Sequence, residues 1–385
     1  MTHISEREYE LPNAVIGDLL KTALEDKSVI SLGPGEPDFD LPAPLVEYIK
    51  EIAGDVNHYS PVGGRRDLKE AIVKKLKREN KIETNPDNVI VTSGSQEALL
   101  MATACSLDVS EQVIIPNPSF LGYLPTFELF NAFPIALELK EEDNWNINPD
   151  ELKKLVDRKK TKAILINTPA NPTGNVLSKK LLEEIADVAI DNDLYIFSDE
   201  AYEQLTYGKK HHSIASLNGL KNHAVTFQTF SKGYAMCGFR LGYAVGPSPL
   251  IKAMEKIHVY TTVSAPTISQ KLGVKALSMK KEYTTNMVKE YDRRRKFLVK
   301  GLNQLGLETI NPNGAFYTFS NIKHLADDSF KFSFDMLRKA KVAVVPGREF
   351  GRYGEGYIRC SYATDYKNIE EALRRMDKFI SKIQK

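Results

Sequence analysis

At 385 residues, 42% hydrophobic and 26% charged, the chain has the composition of a soluble globular enzyme, long enough for two domains or one large core with a smaller satellite. Lysine and arginine number 52 against 50 acidic residues, and the net charge of +2 excludes the overall basicity of a nucleic-acid or membrane-surface protein. Three widely spaced cysteines, Cys105, Cys237 and Cys360, argue against a disulfide framework and fit a reducing cytoplasm.

The first thirteen residues carry charges where a signal peptide has its apolar stretch, and no apolar run approaches a membrane span, so the chain reads as intracellular. A segment with Pro34, Pro37, Pro42 and Pro44 follows. Residues 89–92 then read as a strand, leading into an apolar-rich helix from about Gln96. Further short apolar runs at 113–115, 163–166, 194–197, 224–227 and 241–245 read as strands. The helix after the 163–166 run places Leu181, Ile185 and Val188 on one face. Near-continuous apolar strands alternating with helices signal a mostly parallel sheet covered on both faces. The last third differs. A long charged helix, about 287–305, carries the stripe Met287, Tyr291, Leu298, Leu302 and Leu305. Strand-like runs follow at 314–319 and 342–345, and a final helix carries Ile369, Leu373, Met376 and Phe379. The short basic runs 158–160 and 293–295 read as solvated helix faces. The seven histidines have no HxH or HExxH spacing, and His211-His212 falls in a polar loop, so no metal is expected.

One lysine stands at a predicted strand end, before small residues and an arginine: Ser231-Lys232-Gly233-Tyr234-Ala235-Met236-Cys237-Gly238-Phe239-Arg240-Leu241-Gly242-Tyr243. Strand ends of doubly wound sheets gather active sites, which sets it apart from a solvated loop charge. Ser198-Asp199-Glu200-Ala201-Tyr202 ends another strand, where a carboxylate equally serves as a helix cap. Asn171-Pro172-Thr173-Gly174 is by itself a turn. Ser93-Gly94-Ser95-Gln96-Glu97 joins a strand to a helix, and its backbone N–H groups make an anion site; a Ser93–Gln96 capping box is the plain alternative. In Asn117-Pro118-Ser119-Phe120-Leu121-Gly122-Tyr123, Phe120 reads as a stacking aromatic or as a core residue. Gly33-Pro34-Gly35-Glu36-Pro37-Asp38-Phe39, His58-Tyr59-Ser60-Pro61-Val62-Gly63-Gly64 and Tyr357-Ile358-Arg359-Cys360-Ser361-Tyr362 complete the set, the last with an arginine in an otherwise apolar strand.

In this order, from Gly33 to Arg359, the motifs resemble those of the class I and II aminotransferases, which are fold-type I pyridoxal-phosphate enzymes. The resemblance implies an α/β fold: a large domain over 46–284 with a mostly parallel sheet covered by helices, and a smaller α+β domain from 1–45 and 285–385. It implies a ping-pong aminotransferase with pyridoxal 5'-phosphate as cofactor. The enzyme would move the amino group of an L-amino acid, aspartate or aromatic, to a 2-oxo acid such as 2-oxoglutarate. In the family pattern Lys232 holds the cofactor as a Schiff base, and Arg240 binds its phosphate with Gly94, Ser95, Gln96, Thr229 and Ser231. Asp199 meets the pyridine nitrogen, Tyr202 and Asn171 the ring oxygen, and Phe120 stacks on the ring, where relatives usually have Tyr or Trp. Cys237 stands where threonine is commoner. Arg359 forks onto the substrate α-carboxylate, helped by Asn171, and Gly35 lets the backbone approach. Tyr59 reaches the phosphate in the neighbouring subunit, implying a homodimer with shared active sites.

Two rivals have distinct signatures. β-Elimination on the same fold would release pyruvate and ammonia without an oxo-acid acceptor. A cofactor-binding regulator would need a DNA-binding domain, for which the residues before Gly33 are too few and the basic footprint is missing. Side-chain recognition falls partly to the segment around Ile16 and the Tyr59 loop. Arg65 and Arg66 read as solvated charges at a helix start, or else as partners of an acidic side chain, so aspartate, aromatic amino acids and alanine all stay open.

Overall fold

Strands form where short aliphatic runs meet turn residues, and the computed structural model, which describes residues 4–5, 11, 17, 21–22, 25–217 and 219–384, arranges them in three sheets. In chain order they are β1 (Ile30–Ser31), β2 (Val89–Thr92), β3 (Gln112–Asn117), β4 (Phe133–Glu138), β5 (Thr161–Asn167), β6 (Tyr195–Asp199), β7 (Ala224–Thr229), β8 (Gly242–Val245), β9 (Tyr317–Asn321), β10 (Val342–Ala343), β11 (Val345–Pro346) and β12 (Tyr357–Ser361).

The central sheet has the order β2-β8-β7-β6-β5-β3-β4. Neighbours from β4 to β7 are parallel, and β8 runs antiparallel to both β2 and β7. Parallel strands need crossover helices, so both faces of the sheet are covered and each strand is apolar on both sides. In β5, Ile164 and Ile166 pack with Leu182 and Ile185 on one face, while Ala163 and Leu165 pack with Met101 and Phe127 on the other. The helix Lys179–Asp191 starts where the Ser178 hydroxyl accepts the Leu181 N–H at 3.2 Å, and it buries Leu182, Ile185 and Val188. Leu181, expected on that face, is half-buried instead.

Strand β4 has no counterpart in the sequence reading. It is the edge strand, and its apolar run Phe133-Pro134-Ile135-Ala136-Leu137 carries a proline, which reads against a strand, with Phe133 exposed.

The C-terminal part builds a three-stranded antiparallel sheet, β11-β12-β9, and β1 pairs in parallel with β10. The helices Glu282–Gln304 and Tyr366–Ile383 pack Met287, Tyr291, Leu298, Leu302, Leu373 and Met376 into a common core with Tyr202 and Leu205 from the segment after β6. The run 342–345, expected as one strand, splits into β10 and β11, which pair with different partners. The run 314–319 becomes extended only from Tyr317.

The basic run 293–295 also needs correction. Arg293 is exposed, but Arg294 and Arg295 are buried. Arg294 pairs with Asp38 at 2.7 Å and Glu290 at 2.8 Å; Arg295 pairs with Asp292 at 2.6 Å and stacks on Tyr207. Their aliphatic stems let a guanidinium cross the apolar stripe and still reach a carboxylate.

Candidate active site

The carboxyl ends of β3, β5, β6 and β7 open onto one cavity together with the start of the helix Ser95–Ser106. That is where a doubly wound sheet leaves room for a ligand. Gly94, Ser95, Gln96, Phe120, Asn171 and Asp199 line it, as do Tyr202, Thr229, Ser231, Lys232 and Arg240.

Lys232 lies in the turn after β7. Its Nζ donates to the Gly35 carbonyl at 2.5 Å and stands 5.7 Å from the Tyr202 ring centre and 5.9 Å from that of Phe316. A Cβ on Gly35 would fall 2.9 Å from the Tyr317 hydroxyl, so a larger residue would push this stretch of backbone away from the lysine.

Asp199 ends β6. Its Oδ1 accepts the Ala201 N–H at 3.0 Å, and its Oδ2 accepts the Tyr123 hydroxyl at 2.7 Å. Burial pushes the carboxyl above the usual carboxylate range, while Tyr123, Ala201 and the charge of Lys232 pull the other way. Tyr202 is 6% exposed, and its hydroxyl lies 2.9 Å from that of Tyr317. Burial holds the Tyr202 phenol well above its ordinary pKa, so it keeps its proton.

Arg359 sits mid-strand in β12 between Val345 and Phe319, and is 2% exposed. Nη1 donates to Asn171 Oδ1 at 3.1 Å and Nη2 to the Gly33 carbonyl at 2.5 Å; the guanidinium lies 4.3 Å from the Tyr317 ring centre and 4.9 Å from that of Phe350. Its Nε has no hydrogen-bond partner among the described residues. Burial lowers its pKa, and no carboxylate offsets that. A buried cation with neutral partners and a spare donor is arranged for an incoming anion. Asn171 is fixed in turn, because its N–H donates to Asn167 Oδ1 at 2.8 Å.

Arg359 and Gly35 do not line the cavity themselves; they reach it through Asn171 and Lys232, respectively. Within the cavity, Gly94 caps the helix with φ +95° and no side-chain cap. The Ser93–Gln96 capping box does not form: Glu97 accepts the Ser93 N–H at 2.6 Å, and Gln96 lines the cavity. A Cβ on Gly94 would lie 2.7 Å from Arg240 Nη2, so glycine is needed for both the backbone angle and the close approach. Arg240 donates to the Cys237 carbonyl at 3.0 Å, and Thr229 Oγ1 accepts the Ser231 N–H at 3.1 Å. Helix N–H groups, an arginine and two hydroxyls form a donor set for a phosphate. Among the described residues, Lys232, Arg240 and Arg359 have no ion pair with a carboxylate, unlike the buried Lys75, Arg294 and Arg295.

Some expected residues stand apart. Tyr59 is 84% exposed and outside the cavity, next to Thr267 and His258, whose side chains bond the backbone of its loop. Arg65 pairs with Asp67 and Arg66 with Glu70, as surface charges. Ile16 lies outside the described residues. His211, read as a loop residue, has a side chain only 8% exposed, and Nε2 is 3.0 Å from Glu200. Glu200, Glu203 and His211 bring potential ligand atoms within 4.8 Å of one another, but the Lys75 ammonium already contacts Glu203 there, and Asn80, Ser213 and Gln228 donate to the carboxylates. The sequence reading passed over Tyr123, Asn167 and Tyr317. Tyr123 closes a quoted motif, but nothing local tells a cavity tyrosine from a core one.

A family model described as aminotransferase class I and II matches residues 27–376. An aspartate aminotransferase of Pyrococcus abyssi is 47% identical over 370 residues, 95% of either chain. An aromatic-amino-acid aminotransferase of Thermococcus litoralis is 42% identical over 382 residues, 98% of either chain. The crystal structure of an aromatic aminotransferase from Pyrococcus horikoshii is 45% identical, with a TM-score of 0.91 over 96% of this chain and 99% of that one.

Proposed function

The chain belongs to the class I and II aminotransferases, enzymes that move amino groups between amino acids and 2-oxo acids, and from that premise we propose that its cavity holds pyridoxal 5'-phosphate on Lys232. The carrying observation is the set of three cations without carboxylate partners around Asp199: an amine at the centre, Arg240 beside an open helix start, and Arg359 buried with an unpaired Nε. That donor set suits a ligand with a reactive carbonyl, a phosphate and a basic ring nitrogen, and a substrate with a carboxylate. When bound, the cofactor supplies an electron sink for charge developing at the substrate Cα.

The chain's own residues do the rest. Gly94, Ser95, Gln96, Thr229, Ser231 and Arg240 hold the phosphate, and Phe120 covers one face of the ring. Asp199 keeps a negative charge at the ring nitrogen, while Tyr202 and Asn171 hydrogen-bond the ring oxygen. Arg359 clamps the α-carboxylate against the backbone at Gly35. Lys232 Nζ takes the proton from the substrate Cα and returns it on the far side of the reaction. The donor is aspartate or an aromatic amino acid and the acceptor a 2-oxo acid such as 2-oxoglutarate, in line with what the relatives' names say of those proteins.

The chain works as a cytoplasmic homodimer in which Tyr59 reaches the partner's phosphate. The exposure of Tyr59 at 84% and Tyr260 at 88% supports that reading, and three free cysteines suit a reducing compartment. Residues 46–284 form its large domain, and 1–45 with 285–385 the smaller one, a division supported by the β1–β10 pairing. The test is a half-reaction screen: holoenzyme is mixed with single amino acids, and the cofactor's visible absorbance should bleach with aspartate or an aromatic amino acid. Absence of bleaching with every amino acid would refute the assignment.

A further inference from the structure

Tyr123 is 1% exposed and opens the short helix Tyr123–Glu128, with its N–H on the Phe120 carbonyl at 3.1 Å. Its ring meets Phe120 edge to face at 5.4 Å. Gly122 permits this, since a Cβ there would fall 2.6 Å from the Phe120 ring. The hydroxyl is thus carried on a fixed ring to Asp199 Oδ2 at 2.7 Å.

We propose that Tyr123 is a positioning residue for Asp199, holding the carboxylate ionised and in one orientation for the cofactor's ring nitrogen, an inference that rests on the role given to Asp199 above. The groups facing Asp199 are Tyr123, Tyr202, Lys232 and the neighbouring Glu200. Burial and Glu200 both favour its protonated form, which could not hold a protonated ring nitrogen. Lys232 opposes them, but its amine is the group consumed in bonding the cofactor. Tyr123 is the side-chain donor that stays. It is also neutral. An arginine here would cancel the charge of Asp199, whereas a phenol fills one lone pair and leaves the full negative charge for the ring nitrogen. Burial keeps this phenol protonated, so it donates at every pH the protein meets.

The test uses the full chain freed of cofactor and titrated with pyridoxamine 5'-phosphate, which binds without a bond to Lys232, from about pH 5 to 8. Tyr123→Phe keeps the ring and its contact with Phe120. Its affinity should fall about tenfold at the acid end and less at the neutral end, so that the acid limb moves to higher pH. In an Asp199→Asn background the same change should have no further effect. A loss of equal size at every pH, or no loss, would overturn the proposal. If Asp199→Asn itself binds with the wild-type profile, the role of Asp199 fails, and that outcome is distinct from a failure of Tyr123 alone.

Discussion

The hydroxyls of Tyr202 and Tyr317 lie 2.9 Å apart, and the Arg359 guanidinium stands 4.3 Å from the centre of the same Tyr317 ring. One side chain at the start of β9 therefore touches both the phenol beside Lys232 and the carboxylate clamp. Tyr317→Phe keeps the ring under Arg359 and removes only the hydroxyl. We expect kcat to fall about tenfold with KM for the amino acid changed less than about twofold, as for loss of one buried hydrogen bond. Steady-state kinetics decides; a loss confined to KM would assign Tyr317 to the clamp alone.

Lys232→Ala removes the amine that handles the Cα proton, and among the described residues no other lysine lines the cavity. Turnover should vanish in a coupled transamination assay. Measurable transamination by this variant would sink the assignment of Lys232.

Arg359→Lys keeps a charge but not the fork that spans Asn171, the Gly33 carbonyl and a bound carboxylate. A point charge on a flexible stem satisfies fewer of these at once. The expected loss in kcat/KM is about 100-fold, roughly 3 kcal/mol. A variant within about threefold of wild type would show that the carboxylate binds elsewhere.

Burial alone would raise the Glu97 carboxyl, but the His258 imidazole 3.5 Å away and hydrogen bonds from the Ser93 N–H and Thr262 hydroxyl outweigh it and hold the pKa at about 2. A folded-state value below the unfolded one means the contribution to stability is present above about pH 4.3 and is lost as pH falls toward 2. Glu97→Gln should thus melt below wild type at neutral pH, and the gap should shrink to about half by about pH 3 and close at about pH 2. A constant gap across that window in thermal unfolding would contradict the coupling.

Lys75 is 2% exposed and bonds Asn80, Gln228 and Glu203. Lys75→Met leaves a nearly buried carboxylate without its cation and should cost about 3–5 kcal/mol in denaturant unfolding. Adding Glu203→Gln should recover part of that loss; if the double variant is no more stable, the pair is not the source.

How much of this was legible depended on the range of the signal. Apolar runs announced β2, β3 and β5 to β8, because a strand buried on both faces must be apolar throughout. They could not announce β4, whose edge position tolerates Pro134 and an exposed Phe133. Arg294 and Arg295 read as solvent-facing because a charge run looks the same whether it meets water or Asp38 and Asp292.

Lys232, Asp199, Asn171, Arg240 and Arg359 stood out in the sequence through the order of their motifs, since each marks a strand end or loop whose local chemistry is encoded in neighbouring residues. The meeting of Lys232, Asp199, Asn171, Arg240 and Tyr123 in one cavity, with Arg359 joined to it through Asn171 and Tyr317 through Tyr202, was decided only by the tertiary structure. Tyr123 and Asp199 are 76 residues apart, and Tyr202 and Tyr317 are 115 apart. No local pattern ties such pairs; the parallel strands β3, β5, β6 and β7 bring their carboxyl ends to one rim, and the shared core of the C-terminal part brings Tyr317 to Tyr202.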